Sequence, residues 1–141
     1  MPPKAALRAV SNFHKTLFRI SGGRLGATLR GGQVVFLTTT GRKTGKERTW
    51  PLVGVPHGGD WLVIGSNNGA DEHPSWYLNV TANPEVSLAV NNITTKMRAR
   101  VATGDERTEL WAYVTTEQHV FTSYESKTSR QIPVVVLSTK P

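Results

Sequence analysis

Residues 38–52 read "TTTGRKTGKERTWPL". Three threonines close what reads as a strand, because β-branched residues favour extended backbone. Gly41 and Gly45 bracket a turn that carries Arg42, Lys43 and Thr44, and Lys46 and Arg48 follow at once. Trp50, Pro51 and Leu52 then resume an apolar run. A strand, a tight cationic loop and a returning strand make a hairpin, so the chain reads as β-structure with charge gathered on one connection. Glycine lets backbone approach a bound group closely, and Arg and Lys offer charge-assisted bonds to phosphate or carboxylate oxygens. The loop is not a Walker A loop: three residues separate its glycines instead of four, and Glu47 follows Lys46 where Ser or Thr is required. An anion site, a solvated basic hairpin and nonspecific nucleic-acid contact all fit these residues. The aromatic platforms used by single-strand binders are not evident.

Outward from this hairpin, residues 33–40 form its first strand and residues 48–56 its second, with Pro51 implying an edge or a bulge. His57, Gly58, Gly59 and Asp60 make a turn into a third strand over residues 61–66. A polar loop over residues 67–72 leads to a helix that Pro74 opens and Asn83-Pro84 stops. Residues 85–90 and 93–101 pair across an Asn91-Asn92 turn. On the second of these, Lys96, Arg98 and Arg100 alternate with Met97, Ala99 and Val101. Helices follow at residues 105–117 and 121–126, then a last strand at residues 132–137. Upstream, residues 4–20 read as an amphipathic helix: Lys4, Arg8, Lys15 and Arg19 fall within a sector of roughly 60°, with Leu7, Val10, Phe13 and Leu17 opposite. That helix either packs on the core with a solvated basic face or lies on an anionic membrane. The organisation expected is a helix over residues 1–20 and one domain over residues 21–141. Its fold class is α+β: a small β-barrel of six mostly antiparallel strands with helices at its periphery.

The chain has 141 residues, 19% charged and 38% hydrophobic, which suits one folded domain with one core. Lys and Arg number 17 against 10 Asp and Glu, a formal +7. The first acidic residue is Glu47, so the N-terminal third is purely cationic. This balance favours an anionic partner. There is no Cys, which removes disulfides and thiolate chemistry and fits a reducing compartment. No apolar run approaches the roughly 20 residues that span a bilayer. The N-terminus lacks the apolar core of a signal peptide. A cytoplasmic location is expected, with the inner face of the membrane as a peripheral site.

Two further clusters could hold a ligand. Ser66, Asn67, Asn68 and Gly69 offer hydroxyl, amide and backbone donors to a polar ring edge, or form an ordinary turn. Trp76, Tyr77 and Asn79 belong to a helix whose aromatics suit core or ligand. His14, His57, His73 and His119 do not pair at metal-ligand spacing, so no metal site is expected. No nucleophile elbow is present. The residues suggest a site for an anionic, partly aromatic ligand that carries the chemistry itself.

The blocks "LTTTGRKTGKERTWPL", "GSNNGADEHPSWYLNVTANPEV" and "SYESKTSRQIPVVVL", in this order and spacing, resemble the deazaflavin-dependent nitroreductase family of actinobacteria. The resemblance covers roughly residues 21–137. It implies a split β-barrel related to flavin-binding oxidases and the reduced deazaflavin coenzyme F-420, whose phosphate and glutamate tail would explain the cations. FMN, with one phosphate and no such tail, is the lesser alternative. By resemblance, Gly41, Arg42, Lys43, Thr44 and Arg48 hold the phosphate end and Lys46 reaches the tail. Pro51, Leu52 and Val53 lie along the ring, Ser66–Gly69 meet its polar edge, and Trp76 and Asn79 shape the neighbouring helix. The reaction implied is hydride transfer to an electron-poor acceptor. Gln118, Phe121 and Tyr124 would line the acceptor pocket, with Tyr124 as proton donor or hydrogen-bonding contact. Nitroimidazole-reducing members carry tyrosines where this chain has Phe121 and Gln118, which points to quinones, enones and other activated double bonds. A nonenzymatic F-420 carrier is the remaining alternative. The assembly implied is a monomer or homodimer, with no nucleic-acid partner.

Overall fold

The computed structural model describes residues 32–139. The expected N-terminal helix lies outside them. Strands β1 (Gln33–Thr40), β2 (Glu47–His57), β3 (Asp60–Ile64), β4 (Glu85–Val90), β5 (Ile93–Val101) and β6 (Val134–Ser138) close a barrel in the order β1-β2-β3-β6-β5-β4. Every neighbouring pair is antiparallel. Helices α1 (Ser75–Ala82), α2 (Gly104–Glu117) and α3 (Val120–Glu125) interrupt the strands, and a short 3-10 turn spans Asn67–Gly69.

The period-2 pattern of a strand sorts the side chains into two cores. Val35, Leu37, Val63, Leu88, Met97, Ala99, Val135 and Leu137 fill the barrel, with Trp76 and Val80 of α1 packed among them. Leu62, Ile64, Val134 and Val136 point outward instead, and Leu110, Val114 and Phe121 of α2 and α3 cover them. Strand β6 is therefore buried on both faces, which is why it reads as the unbroken run Val134-Val135-Val136-Leu137. Strand β5 shows the opposite pattern: Met97 and Ala99 face in, while Lys96, Arg98 and Arg100 face solvent. Arg98 bonds Glu85 directly across the sheet. Arg100 grips Glu106 of α2 with two hydrogen bonds of 2.6 and 3.0 Å. Both pairs are solvent-exposed, where water screens the attraction and leaves such pairs weak.

Turn chemistry fixes the hairpins. Gly58 and Gly59 both take positive φ (56° and 88°), as do Asn91 and Asn92 (50° and 67°). Two successive positive φ values define the type I′ turn that matches strand twist. Pro51 lies opposite Phe36 of β1, whereas β2 meets β3 only from Val55 to His57. The proline thus sits where β2 has a single neighbour, as its missing N–H requires.

Most boundaries differ from the sequence reading by a residue or two, and three of the differences have a visible cause. Pro74 caps α1 with extended backbone (φ −66°, ψ 152°) and is not its first residue. β3 ends at Ile64 because the carbonyls of Gly65 and Ser66 are taken by Arg130. β6 starts at Val134 because Pro133 has no N–H and the Ile132 carbonyl accepts from Arg107.

The antiparallel order places the ends of β1, β3 and β5 at one rim. All three long connections of the described residues (41–46, 65–84 and 102–133) leave from that rim, and the other rim has only the two tight turns. Leu137 has no exposed surface and sits at the centre of the barrel core. Leu137→Ala should cost about 2–5 kcal/mol, whereas Ile93→Ser, at a site 70% exposed, should change stability by less than about 0.5 kcal/mol. Urea unfolding of the two variants measures both values.

Candidate functional site

The cationic loop is compact. Gly41 N–H donates to the Lys46 carbonyl at 2.7 Å, and Gly45 N–H donates to the Gly41 carbonyl at 2.8 Å. A Cβ on Gly41 would stand 3.0 Å from the Lys46 carbonyl oxygen, and Gly45 adopts φ +73°. Both glycines are therefore required by the turn itself. With the backbone folded inward, Arg42, Lys43, Thr44, Lys46 and Arg48 are all exposed. Among the described residues, the ion pairs formed are Arg98–Glu85 and Arg100–Glu106, so none of the loop's cations is neutralised by a carboxylate.

Asn79 anchors this loop to α1. Its Oδ1 accepts from the Arg42 backbone N–H at 3.2 Å and from Arg42 Nη1 at 2.8 Å. Its Nδ2 donates to the Thr39 hydroxyl at 3.1 Å. Asn79 and Thr39 are buried, so these bonds are shielded from water. Trp76 lies one turn earlier, in the barrel core. Asn79 thus ties the loop to α1, while the loop's cations remain exposed. Pro51, Leu52 and Val53 are half-buried on the part of β2 that β3 does not cover.

The second loop leaves β3 at the same rim. Asn67, Asn68 and Gly69 all have positive φ (47°, 56° and 82°). Asn tolerates this conformation better than most residues. Gly69 has a further reason: a Cβ there would meet Lys127 Cβ at 2.9 Å and the Tyr124 carbonyl oxygen at 3.0 Å. The loop therefore packs directly against the end of α3. Gly69 and Ala70 N–H groups bond back to Ser66 and Asn67 carbonyls, and Asn67 Nδ2 donates to the Glu72 carbonyl at 2.9 Å. The N–H groups of Ser66, Asn67 and Asn68 and the Ser66 hydroxyl have no hydrogen-bond acceptor among the described residues. They are donors left available at the rim.

On α3, Tyr124 is half-buried and meets Phe121 edge-on at 6.1 Å between centroids. The Lys127 ammonium stands 5.6 Å above the Tyr124 ring. Phe121 and Gln118 are buried, and Phe121 is part of the outer core. Of the three residues assigned to an acceptor pocket, Tyr124 is the one most open to solvent.

Arg130 and His73 escaped the sequence reading. Arg130 donates to the carbonyls of Ala70 (2.9 Å), Gly65 (3.1 Å) and Ser66 (2.8 Å), and its Nη1 meets His73 Nδ1 at 3.1 Å. His73 also stacks on Tyr77 at 4.6 Å. Burial, and then the Arg130 charge, hold the His73 pKa below its ordinary value of 6.5. A neutral Nδ1 accepts from the guanidinium, so the ring proton belongs on Nε2. These contacts bridge 57 to 65 positions of chain, and nothing local in the sequence marks them.

A closed antiparallel barrel with an unneutralised cationic loop and unpaired donors on one rim has the chemistry that a polyanionic ligand with a polar ring edge would need. Residues 10–139 match the family model described as F420H(2)-dependent quinone reductase, and the chain belongs to that family. Its cofactor is reduced F-420 and it is an enzyme. An F420H(2)-dependent quinone reductase of Mycobacterium tuberculosis (strain H37Rv) is 36% identical over 129 residues, covering 89% of this chain and 87% of that protein. A solved F420-H2 dependent reductase is 38% identical with a TM-score of 0.69, covering 74% of this chain and 93% of its own. A chain solved as a domain-swapped dimer matches with the same identity and TM-score, covering 74% of this chain and 79% of its own.

The His73 environment gives a pH signature. Its pKa is lowered in the fold, so the unfolded chain takes up the proton first as pH falls. The stability contributed by neutral His73 is complete above pH 6.5 and is lost as pH drops through the lower folded value. The urea midpoint of the parent should therefore fall more than that of His73→Gln between pH 7.5 and pH 5. Parallel curves would show that His73 makes no such contribution.

Proposed function

We propose that the chain holds reduced F-420 along the rim formed by residues 41–48, 51–53 and 66–69, and passes its hydride to a quinone beside Tyr124. The observation that carries this is the exposed, unneutralised cationic loop clamped by Asn79. Arg42, Lys43, Lys46 and Arg48 present four charges, more than a single FMN phosphate calls for. Gly41 and Thr44 shape the loop: the Thr44 hydroxyl accepts from the Lys46 N–H at 3.2 Å and keeps the turn closed. The backbone of Pro51, Leu52 and Val53 would lie along a flat ring, with half-buried Pro51 and Val53 on the face opposite Leu52, which packs on the barrel core. The free donors of Ser66, Asn67 and Asn68 meet its polar edge, and Gly69 lets that loop lie against α3.

When bound, the cofactor supplies two electrons and a proton as hydride. A quinone that accepts them needs one more proton to become a hydroquinone. Tyr124, half-buried at the end of α3, donates that proton from its hydroxyl and regains one from solvent. Phe121 offers its ring edge and Gln118 its amide to the wall behind Tyr124. Neither carries a hydroxyl, so quinones and enones suit the pocket better than nitro compounds. The assembly is a monomer or a homodimer, the latter supported by the domain-swapped relative.

Replacing Lys43 and Arg48 together by Ala should weaken F-420 binding at least about 10-fold at low salt, far more than it weakens FMN binding. Fluorescence titration with both cofactors measures this. Equal losses for both would overturn the reading that this loop is built for F-420 rather than for FMN.

A membrane role rests on a separate observation: nine Lys and Arg residues precede the first acidic residue, Glu47. Quinones partition into lipid, and a basic amphipathic segment would hold the chain at the surface of an anionic membrane. The full chain should sediment with anionic liposomes, and removal of residues 1–20 should abolish this. Unchanged binding would sink the idea.

A further inference from the structure

We infer that Arg130 is a positioning residue that aims the backbone N–H groups of Ser66 and Asn67 at the ring edge of the bound cofactor. The inference rests on the F-420 assignment of this rim. In a planar trans peptide the C=O of one residue and the N–H of the next point in opposite directions. Arg130 draws in the Gly65 carbonyl with Nη1 and the Ser66 carbonyl with Nη2. The N–H groups of Ser66 and Asn67 are thereby turned away from the guanidinium, and both lack an acceptor among the described residues. A third bond, from Nε to Ala70, closes the far end of the loop.

The loop would not hold this shape unaided. Three successive residues, Asn67, Asn68 and Gly69, sit at positive φ, a run that a chain adopts only when its surroundings enforce it. A guanidinium suits the task because its five N–H groups fan out in one plane and can reach several carbonyls at once. A lysine ammonium carries the same charge but cannot form that fork. Arg130 is itself held from three sides. Its N–H donates to the Thr128 hydroxyl at 3.3 Å, that hydroxyl donates to Asp71 at 2.9 Å, and His73 closes the remaining direction. Arg130 touches no ligand in this account. It acts through the two amides.

The test uses two ligands: intact F-420 and its deazaflavin–ribityl fragment, which lacks the phosphate and the glutamates. Arg130→Lys should weaken both by the same factor, about 10–100-fold, the range expected when charge-assisted bonds are lost. Arg130→Gln should do the same. Lys43→Ala, by contrast, should weaken intact F-420 and spare the fragment. A merely structural role would lower the melting temperature of the Arg130 variants and leave the affinity of the folded protein unchanged. Thr128→Ala, which loosens the Arg130 main chain and keeps its side chain, should show a smaller loss with the same pattern, and decides the matter if the Arg130 variants do not fold. Parent-like fragment binding by Arg130→Lys, or by Thr128→Ala where it alone folds, overturns the inference. So does a loss confined to intact F-420, which would be a long-range charge effect. A parent chain that binds neither ligand overturns the F-420 assignment itself.

Discussion

Strand β6 is the constraint on which the rest depends. Val135 and Leu137 fill the barrel while Val134 and Val136 sit under α2 and α3, so one five-residue strand belongs to two cores. It also joins β3 to β5 and closes the barrel. Remove its apolar character and both the closure and the helical cover lose their footing. Because α3 is seated on this strand through Phe121, and the loop after β3 is seated on α3 through Gly69, the candidate site inherits its geometry from β6.

Strands and turns were legible because their signals are local. Alternation on β5, the unbroken apolar run of β6 and the Gly-Gly and Asn-Asn turns each depend on neighbours in sequence. The cationic loop was legible for the same reason: two glycines and four cations lie within eight positions. Other features were not. Asn79 was expected on a helix beside the ligand, and its actual contacts are Arg42 and Thr39, each brought in from about 40 positions away. Arg130 sits in a polar stretch with no periodicity, so its partners could be found only in three dimensions. Boundaries failed where a long-range bond competed with the ladder: Arg130 took the carbonyls past Ile64, and Arg107 took that of Ile132.

The two rims of the barrel divide the labour. Among the described residues, one has only type I′ turns, whose backbone is dictated by strand twist. The other carries their long connections, their three helices and the exposed cations of residues 42–48. Charge is placed accordingly. On β5 the outward cations are partly answered by Glu85 and Glu106, whereas the loop before β2 keeps its charge unanswered. That contrast separates a solvated basic face from a surface prepared for anions.

Helix α1 joins the two loops of the site. Two residues before its start His73 engages Arg130, and midway along it Asn79 engages Arg42. Eight residues at 1.5 Å each make a rod of about 12 Å. The hydrogen bonds of a helix resist stretching, so the spacing between the two anchorages is restrained by the turns that lie between them. The helix therefore works as a gauge. With the cofactor placed as proposed above, it would favour a ligand whose ring and first anion are separated by a matching distance.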